Sequence, residues 1–296
     1  KVRVTEWLPF DAPLAQVEQM RREGGASSSA DPGDAWLKTG ALKAFLDGSL
    51  GSRTAAMLAP YSDDPATSGI LRVDPAQLKT LAIERDRAGF QIAFHAIGDR
   101  ANRVALETYA AVLAANGPRD RRDRIEHAQV VAPDDFPRFA ELHVIASMQP
   151  SHLLDDARWA ADRLGPERSK GAYAWRTLQN EGVPLAFGTD YPVEPINPLR
   201  GLYACVTRKL PDGSGPRNGW QPQEHLRAFD CIHDYTVGSA YAQFEEKRKG
   251  LLAPGMLADI VVYPRDINEV PARILFDLPV EMTITGGRIV YQKQPR

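Results

Sequence analysis

The chain has 296 residues, 43% of them hydrophobic, with 36 Lys and Arg against 38 Asp and Glu and a formal net charge of −2. That length supports one large core, or a barrel with a small appendage. The near-balanced charge gives no ground for a nucleic-acid or anionic-membrane partner and leaves a small molecule as the expected one.

No apolar run approaches the roughly 20 residues of a membrane span. The chain opens Lys1-Val2-Arg3-Val4, without Met, and already reads as a strand. Its natural N-terminus is therefore expected upstream, together with any targeting signal, and a cytoplasmic location is the expectation. Cys205 and Cys231 form no Cys-x-x-Cys pair, which argues against a zinc knuckle or a redox motif. They are expected as two buried free thiols rather than a disulfide.

The first apolar run, residues 2–8, predicts a strand. Residues 24–30, Gly and Ser rich, are the most flexible-looking stretch. A second strand is expected at 42–46. Asp74-Pro75 then predicts a helix start, an N-cap followed by proline in the first turn, with the helix running to Arg87 and Gly89 just beyond. Residues 91–96 predict a strand, and about 100–115 a helix closed by Asn116-Gly117-Pro118. Strands at 124–127, 144–148 and 185–187 alternate with helices opening at Pro133, spanning 166–181 and 198–209, and lying within 222–241. Short strands buried on both faces, alternating with helices, predict βαβ units in an α/β fold. A (βα) barrel and a doubly wound sheet both fit at this point. After Lys249 the character changes. Residues 250–255 are turn-rich, 258–263 predict a strand, and Gly286-Gly287 between two β-branched runs predicts a hairpin. Residues 1–249 are thus expected as the main domain and 250–296 as a C-terminal β appendage. No internal repeat is visible.

Four polar residues stand at or near predicted strand ends: Lys43 within an apolar run, His95, His127, and Asp190 after Gly188-Thr189. Each alone has an ordinary structural reading, such as a hydrogen-bonded core histidine, a lysine reaching the rim or an aspartate capping a helix. Together, two imidazoles, an amine and a carboxylate at separate strand ends form the donor set of a hydrolytic metal site.

Segment 42–55, which carries Lys43, Ser52 and Arg53, resembles the amidohydrolase superfamily, in particular amidohydrolase family 3, which includes N-substituted formamide deformylases. Four further motifs agree in order: His95-Ala96-Ile97-Gly98-Asp99-Arg100, Arg124-Ile125-Glu126-His127, Met148-Gln149-Pro150-Ser151-His152 and Gly188-Thr189-Asp190-Tyr191-Pro192, followed by a matching tail at 255–262. The resemblance implies a TIM-type (β/α)8 barrel with a small β-sandwich appendage. It implies a metal-dependent hydrolase of carbon–nitrogen bonds in amides or formamides, using one or two divalent ions, zinc first. In that reading Lys43 is a carboxylated lysine bridging two metals, and His95 and His127 bind the second metal. Asp190 binds the first metal or the attacking water and serves as general base. Gln149 and His152, with Ser52 and Arg53, are candidate substrate contacts. Asp99 and Glu126 are candidate partners that fix a ligand imidazole, although Asp99 could equally cap the helix near Arg100. His143, His225 and His233 are read as structural or surface residues.

The first strand of the superfamily ends in His-x-His, and none of the six histidines here precedes residue 95. Residues 2–8 therefore fit strand 3, and an incomplete barrel of about strands 3–8 is expected. Homo-oligomerisation or a missing N-terminal segment would complete it, and the 296-residue chain alone is expected to bind metal weakly and be inactive. The alternatives are a non-catalytic small-molecule-binding barrel, or a phosphoesterase or isomerase on the same fold.

Overall fold

The computed structural model describes residues 2–24 and 36–294, so most of the Gly and Ser-rich stretch lies outside the described residues. In chain order the elements are β1 (Val4–Pro9), α1 (Leu14–Glu23), β2 (Leu37–Phe45), α2 (Pro75–Arg87), β3 (Ile92–Ala96), α3 (Asp99–Asn116), β4 (Arg124–His127), α4 (Phe136–Glu141) and β5 (Ile145–Met148). There follow α5 (Leu153–Asp156), α6 (Ala160–Ser169), α7 (Trp175–Asn180), β6 (Leu185–Phe187), α8 (Pro198–Thr207), α9 (Ala228–His233), β7 (Ile260–Val262), β8 (Met282–Thr285) and β9 (Arg288–Gln292).

The first six strands form one sheet in the order β1-β2-β3-β4-β5-β6, with β1 and β6 at its edges. Strands β2 to β5 pair in parallel, with Phe45 opposite His95, and Ala96 opposite His127. Consecutive parallel neighbours are what successive βα units produce. The expected helix start is met: the Asp74 side chain accepts from the Gln77 N–H at 2.8 Å and Pro75 occupies the first turn. The single helix expected over 166–181 is instead two. Chain 170–174 is drawn out of helical register by the loop after β4, where the Val131 N–H donates to the Gly171 carbonyl and the Tyr173 N–H to the Gln129 carbonyl. A side chain at Gly171 would meet the Val131 carbonyl oxygen at 2.1 Å, so the close approach requires glycine.

The chain divides into two compact units: a larger one of Thr5–Met148 with Asp156–Leu185, and a smaller one of Gln149–Asp155 and Ala186–Arg296 with Lys1–Val4. In the smaller unit Cys205 of α8 and Cys231 of α9 are joined in a disulfide, their Cα atoms 6.3 Å apart. This corrects the expectation of free thiols. The two helices pack side by side, a neighbourhood that a separation of 26 residues does not reveal. The tail forms a three-stranded antiparallel sheet, β7-β8-β9. Gly286 and Gly287 both take positive φ, 57° and 75°, as a two-residue hairpin turn of the type favoured by strand twist demands. The Asp259 carboxylate accepts from the Gly286 N–H and pairs with Arg3, which tethers the hairpin. No helix among the described residues is long and apolar enough to cross a membrane.

Candidate metal centre

In the larger unit, Lys43, His95 and His127 stand on adjacent strands β2, β3 and β4. Parallel register puts Lys43 beside Ala93 and places Phe45 beside His95. The His95 and His127 rings meet edge to face, centroids 4.5 Å apart. His127 and the following Ala128 adopt left-handed backbone conformations, φ 78° and 42°. Such geometry is disfavoured for a residue with a Cβ, and here it ends β4 beneath the imidazole. The Lys43 ammonium is half-buried, 5.2 Å from the Phe45 ring centroid and 5.5 Å from that of Trp7. An ammonium at these distances gains cation–π attraction, which a carboxylated lysine would give up.

His95 is oriented from below. Its Nε2 lies 3.1 Å from the Gly48 carbonyl oxygen, which can only accept, so Nε2 carries the hydrogen and, in the neutral ring, Nδ1 is the nitrogen left for a metal. A ligand imidazole is typically held in this way, its second nitrogen donating to a carbonyl or carboxylate. Asp47 stands beside the same nitrogen at 3.4 Å and is fully buried. Its oxygens accept from the backbone N–H groups of Ala56, Ile97 and Gly98 at 2.8–3.1 Å. Gly98 must be glycine here, because a Cβ would lie 2.0 Å from the Ala56 carbonyl oxygen. Asp47 has no role assigned to it from the sequence. Its signal was an acid placed directly after an apolar strand and before glycine.

The partners offered to an imidazole in the sequence are engaged elsewhere. Asp99 opens α3 and accepts from the Leu58 N–H at 2.7 Å, fixing the loop after β2; burial holds its carboxyl above the usual range. Glu126 pairs with Arg124 on its own strand and accepts from the Ser147 hydroxyl at 2.7 Å. The Arg124 guanidinium stacks on Trp7 at 4.8 Å. Arg53 forks onto Asp63 at 2.8 and 3.1 Å, and Asp63 also holds Arg163. Ser52 bonds to the hydroxyls of Ser49 and Thr54.

In the smaller unit, Asp190 follows β6 with φ 59°, a left-handed conformation that it shares with the candidates Arg53 and His127. Its Oδ2 lies 3.3 Å from Nε2 of His152, and the other imidazole nitrogen, Nδ1, lies 3.5 Å from Oε1 of Glu194. Glu194 is 4% exposed. Burial pushes its carboxyl up; His152 and Arg200 pull it down, and a hydrogen-bonded Asp155 raises it. Gln149 is buried immediately before the turn that delivers His152. Nothing in the local sequence Pro192-Val193-Glu194-Pro195 singles out Glu194.

The amidohydrolase family pattern matches residues 2–291 of this chain. The chain belongs to that family. It is similar to Protein LONG AFTER FAR-RED 3 of Arabidopsis thaliana, 45% identical over 262 residues, 86% of this chain and 43% of that protein. It is also similar to the N-substituted formamide deformylase of Arthrobacter pascens, 21% identical over 94% of this chain and 50% of that protein. Among solved structures it resembles an uncharacterized metal-dependent hydrolase from Pyrococcus horikoshii OT3, with a TM-score of 0.78 and 32% identity over 91% of this chain and 52% of the other. The chain thus spans about half the length of the relatives it matches. For an amidohydrolase the donor chemistry fits a divalent ion: imidazole with a fixed lone pair, a second imidazole beside it, and carboxylates.

Proposed function

We propose that this chain carries the reaction residues of a metal-dependent hydrolase that cleaves carbon–nitrogen bonds of amide or formamide type in a small molecule. The observation that supports this best is the oriented His95, its Nε2 hydrogen taken by the Gly48 carbonyl and its ring against His127. In this reading the six consecutive strands are part of a (β/α)8 barrel. Lys43, His95 and His127 are ligands in the larger unit, with Lys43 carboxylated. Asp190 is a ligand and the general base in the smaller unit. Zinc is the first choice for imidazole and carboxylate donors. A bound ion would lower the pKa of a water toward about 7 and polarise the scissile carbonyl.

The chain's own residues do the rest. Asp190 takes the proton of the attacking water on its carboxylate and returns it to the departing nitrogen, so the amine leaves neutral. Asp47 and Gly48 keep the His95 tautomer constant. The deformylase relative supports the choice of bond. The test is amine release from a panel of N-formyl and N-acyl amines by the zinc-supplied protein at the length of its relatives, with metal content measured in parallel and the 296-residue chain alone as the form expected to bind metal weakly and show no turnover. Turnover that falls at least about 100-fold in Asp190→Asn, with metal lost in His95→Ala, is the expected result. A protein that takes up no ion when zinc is supplied would sink the reading.

A further inference from the structure

His152 stood in the sequence as a candidate substrate contact. Its surroundings in the smaller unit describe something else. The imidazole lies between two carboxylates, Asp190 on the Nε2 side and Glu194 on the Nδ1 side. Were the ring an imidazolium donating to both, charge-assisted bonds of about 2.7–2.9 Å would be expected. The observed separations are 3.3 and 3.5 Å. The Nε2 to Oδ2 separation has another meaning. Two donor atoms each about 2.0–2.1 Å from a tetrahedral zinc ion are about 3.3–3.4 Å apart. The pair is spaced as one edge of a coordination polyhedron.

The other nitrogen fits the same picture. A metal-bound imidazole typically donates its second N–H to a carboxylate, which fixes ring and tautomer and raises ligand basicity. Glu194 is the buried acid that faces Nδ1, at 3.5 Å, and stands on the side of the ring where such an acceptor belongs. Asp155 and Arg200 face it from α5 and α8, an acid that bonds to it and a cation that attracts it. A buried carboxylate is costly unless it is paired, and this one has Asp155 bonded to it with the His152 ring and Arg200 beside it. The left-handed backbone of Asp190 adds strain at the partner residue, as is common where a side chain is aimed for function.

We propose that His152 is a metal ligand through Nε2, sharing its ion with Asp190, and that Glu194 is the positioning residue that holds His152 in the required tautomer. This rests on the metal-dependent reading above. The experiment measures cobalt(II) and zinc affinity of the protein by competition with a chromophoric chelator, together with the visible absorption of the cobalt form. Wild type, His152→Ala and Glu194→Gln are compared, and circular dichroism checks the fold of each. The expected result is an affinity loss of at least about 100-fold in His152→Ala, with a changed cobalt spectrum, and about 10–100-fold in Glu194→Gln. Free imidazole should restore affinity to His152→Gly, which a misfolded variant would not permit. Wild-type affinity and an unchanged spectrum in His152→Ala would overturn the ligand assignment. Wild-type affinity in Glu194→Gln alone would overturn the positioning role. A wild-type protein that binds neither ion fails the proposed function itself, and the two failures are therefore distinct.

Discussion

His95 and His152 are both imidazoles beside buried acids, yet they are held by different means. His95 rests on main chain: the Gly48 carbonyl takes its hydrogen, and the adjacent Asp47 is locked by three backbone N–H groups. His152 rests on side chains, with Glu194 on one nitrogen and Asp190 on the other. A main-chain cradle changes only if the local fold changes. A side-chain cradle can be altered one group at a time. The same kind of substitution should therefore read out as lost stability in the larger unit and as altered affinity in the smaller one.

The sharpest way to break this contrast is Asp47→Ala. It would leave three buried N–H groups without their acceptor, at about 1–3 kcal/mol each. We expect a loss on the order of 3–5 kcal/mol in chemical denaturation, with imidazole orientation lost as a secondary effect. A wild-type unfolding midpoint would show that the cradle is not structural. The smaller unit has its own frame in the Cys205–Cys231 link, which closes a loop of 26 residues. Chain-entropy arguments put its contribution at about 3.5 kcal/mol. Cys205→Ser with Cys231→Ser should lower the unfolding midpoint accordingly, and added reductant should do the same to wild type but not to the double variant.

A third test lies at the foot of the larger unit. Asp123 precedes β4, and its Oδ1 accepts from the Ile92 N–H at 2.8 Å while Oδ2 is buried without a hydrogen-bond partner. Burial raises its pKa to about 7, against the opposing pull of that N–H. Between the unfolded value near 3.9 and about 7, the folded state holds a proton that the unfolded state has released. This contribution to stability is full below about pH 4 and is lost as pH rises through 7, a change on the order of a few kcal/mol. Asp123→Asn should flatten that slope, and urea denaturation at pH 5 and pH 8 measures it. An identical slope in the variant would place the titration elsewhere. The smallest effect is expected at Arg53→Lys, which removes the fork onto Asp63 at an exposed site and should leave the unfolding midpoint unmoved.

Much of the fold was legible because strands buried on both faces print continuous apolar runs, and because caps such as Asp74-Pro75 are local chemistry. The breaks in the long predicted helices were not legible. Gly171 is read as an ordinary residue until the Val131 carbonyl lies beside it. At the site, strand ends announced Lys43, His95 and His127, since position in a parallel sheet follows from the run that precedes them. What those residues touch was hidden. Asp99 and Glu126 are near the histidines in sequence and bond elsewhere, while Asp47, 48 residues before His95, stands beside its imidazole. Glu194 and the cysteine pair are contacts between segments, which no local pattern encodes.

The tail sheet carries a practical consequence. Every residue of β9 is exposed, and Ile289, Val290 and Tyr291 stand in a row on an edge strand. An edge of this kind, β-branched and aromatic with free hydrogen-bonding groups, is a template for adding a foreign strand. Arg288 opens the strand and Lys293, paired with Glu281 at 3.1 Å, follows it, so Arg288 is the gatekeeping charge against such growth. Self-association of the protein should therefore depend on ionic strength. Salt that screens the Arg288 charge weakens the repulsion between approaching copies, and dilute buffer is the safer condition for concentrating it.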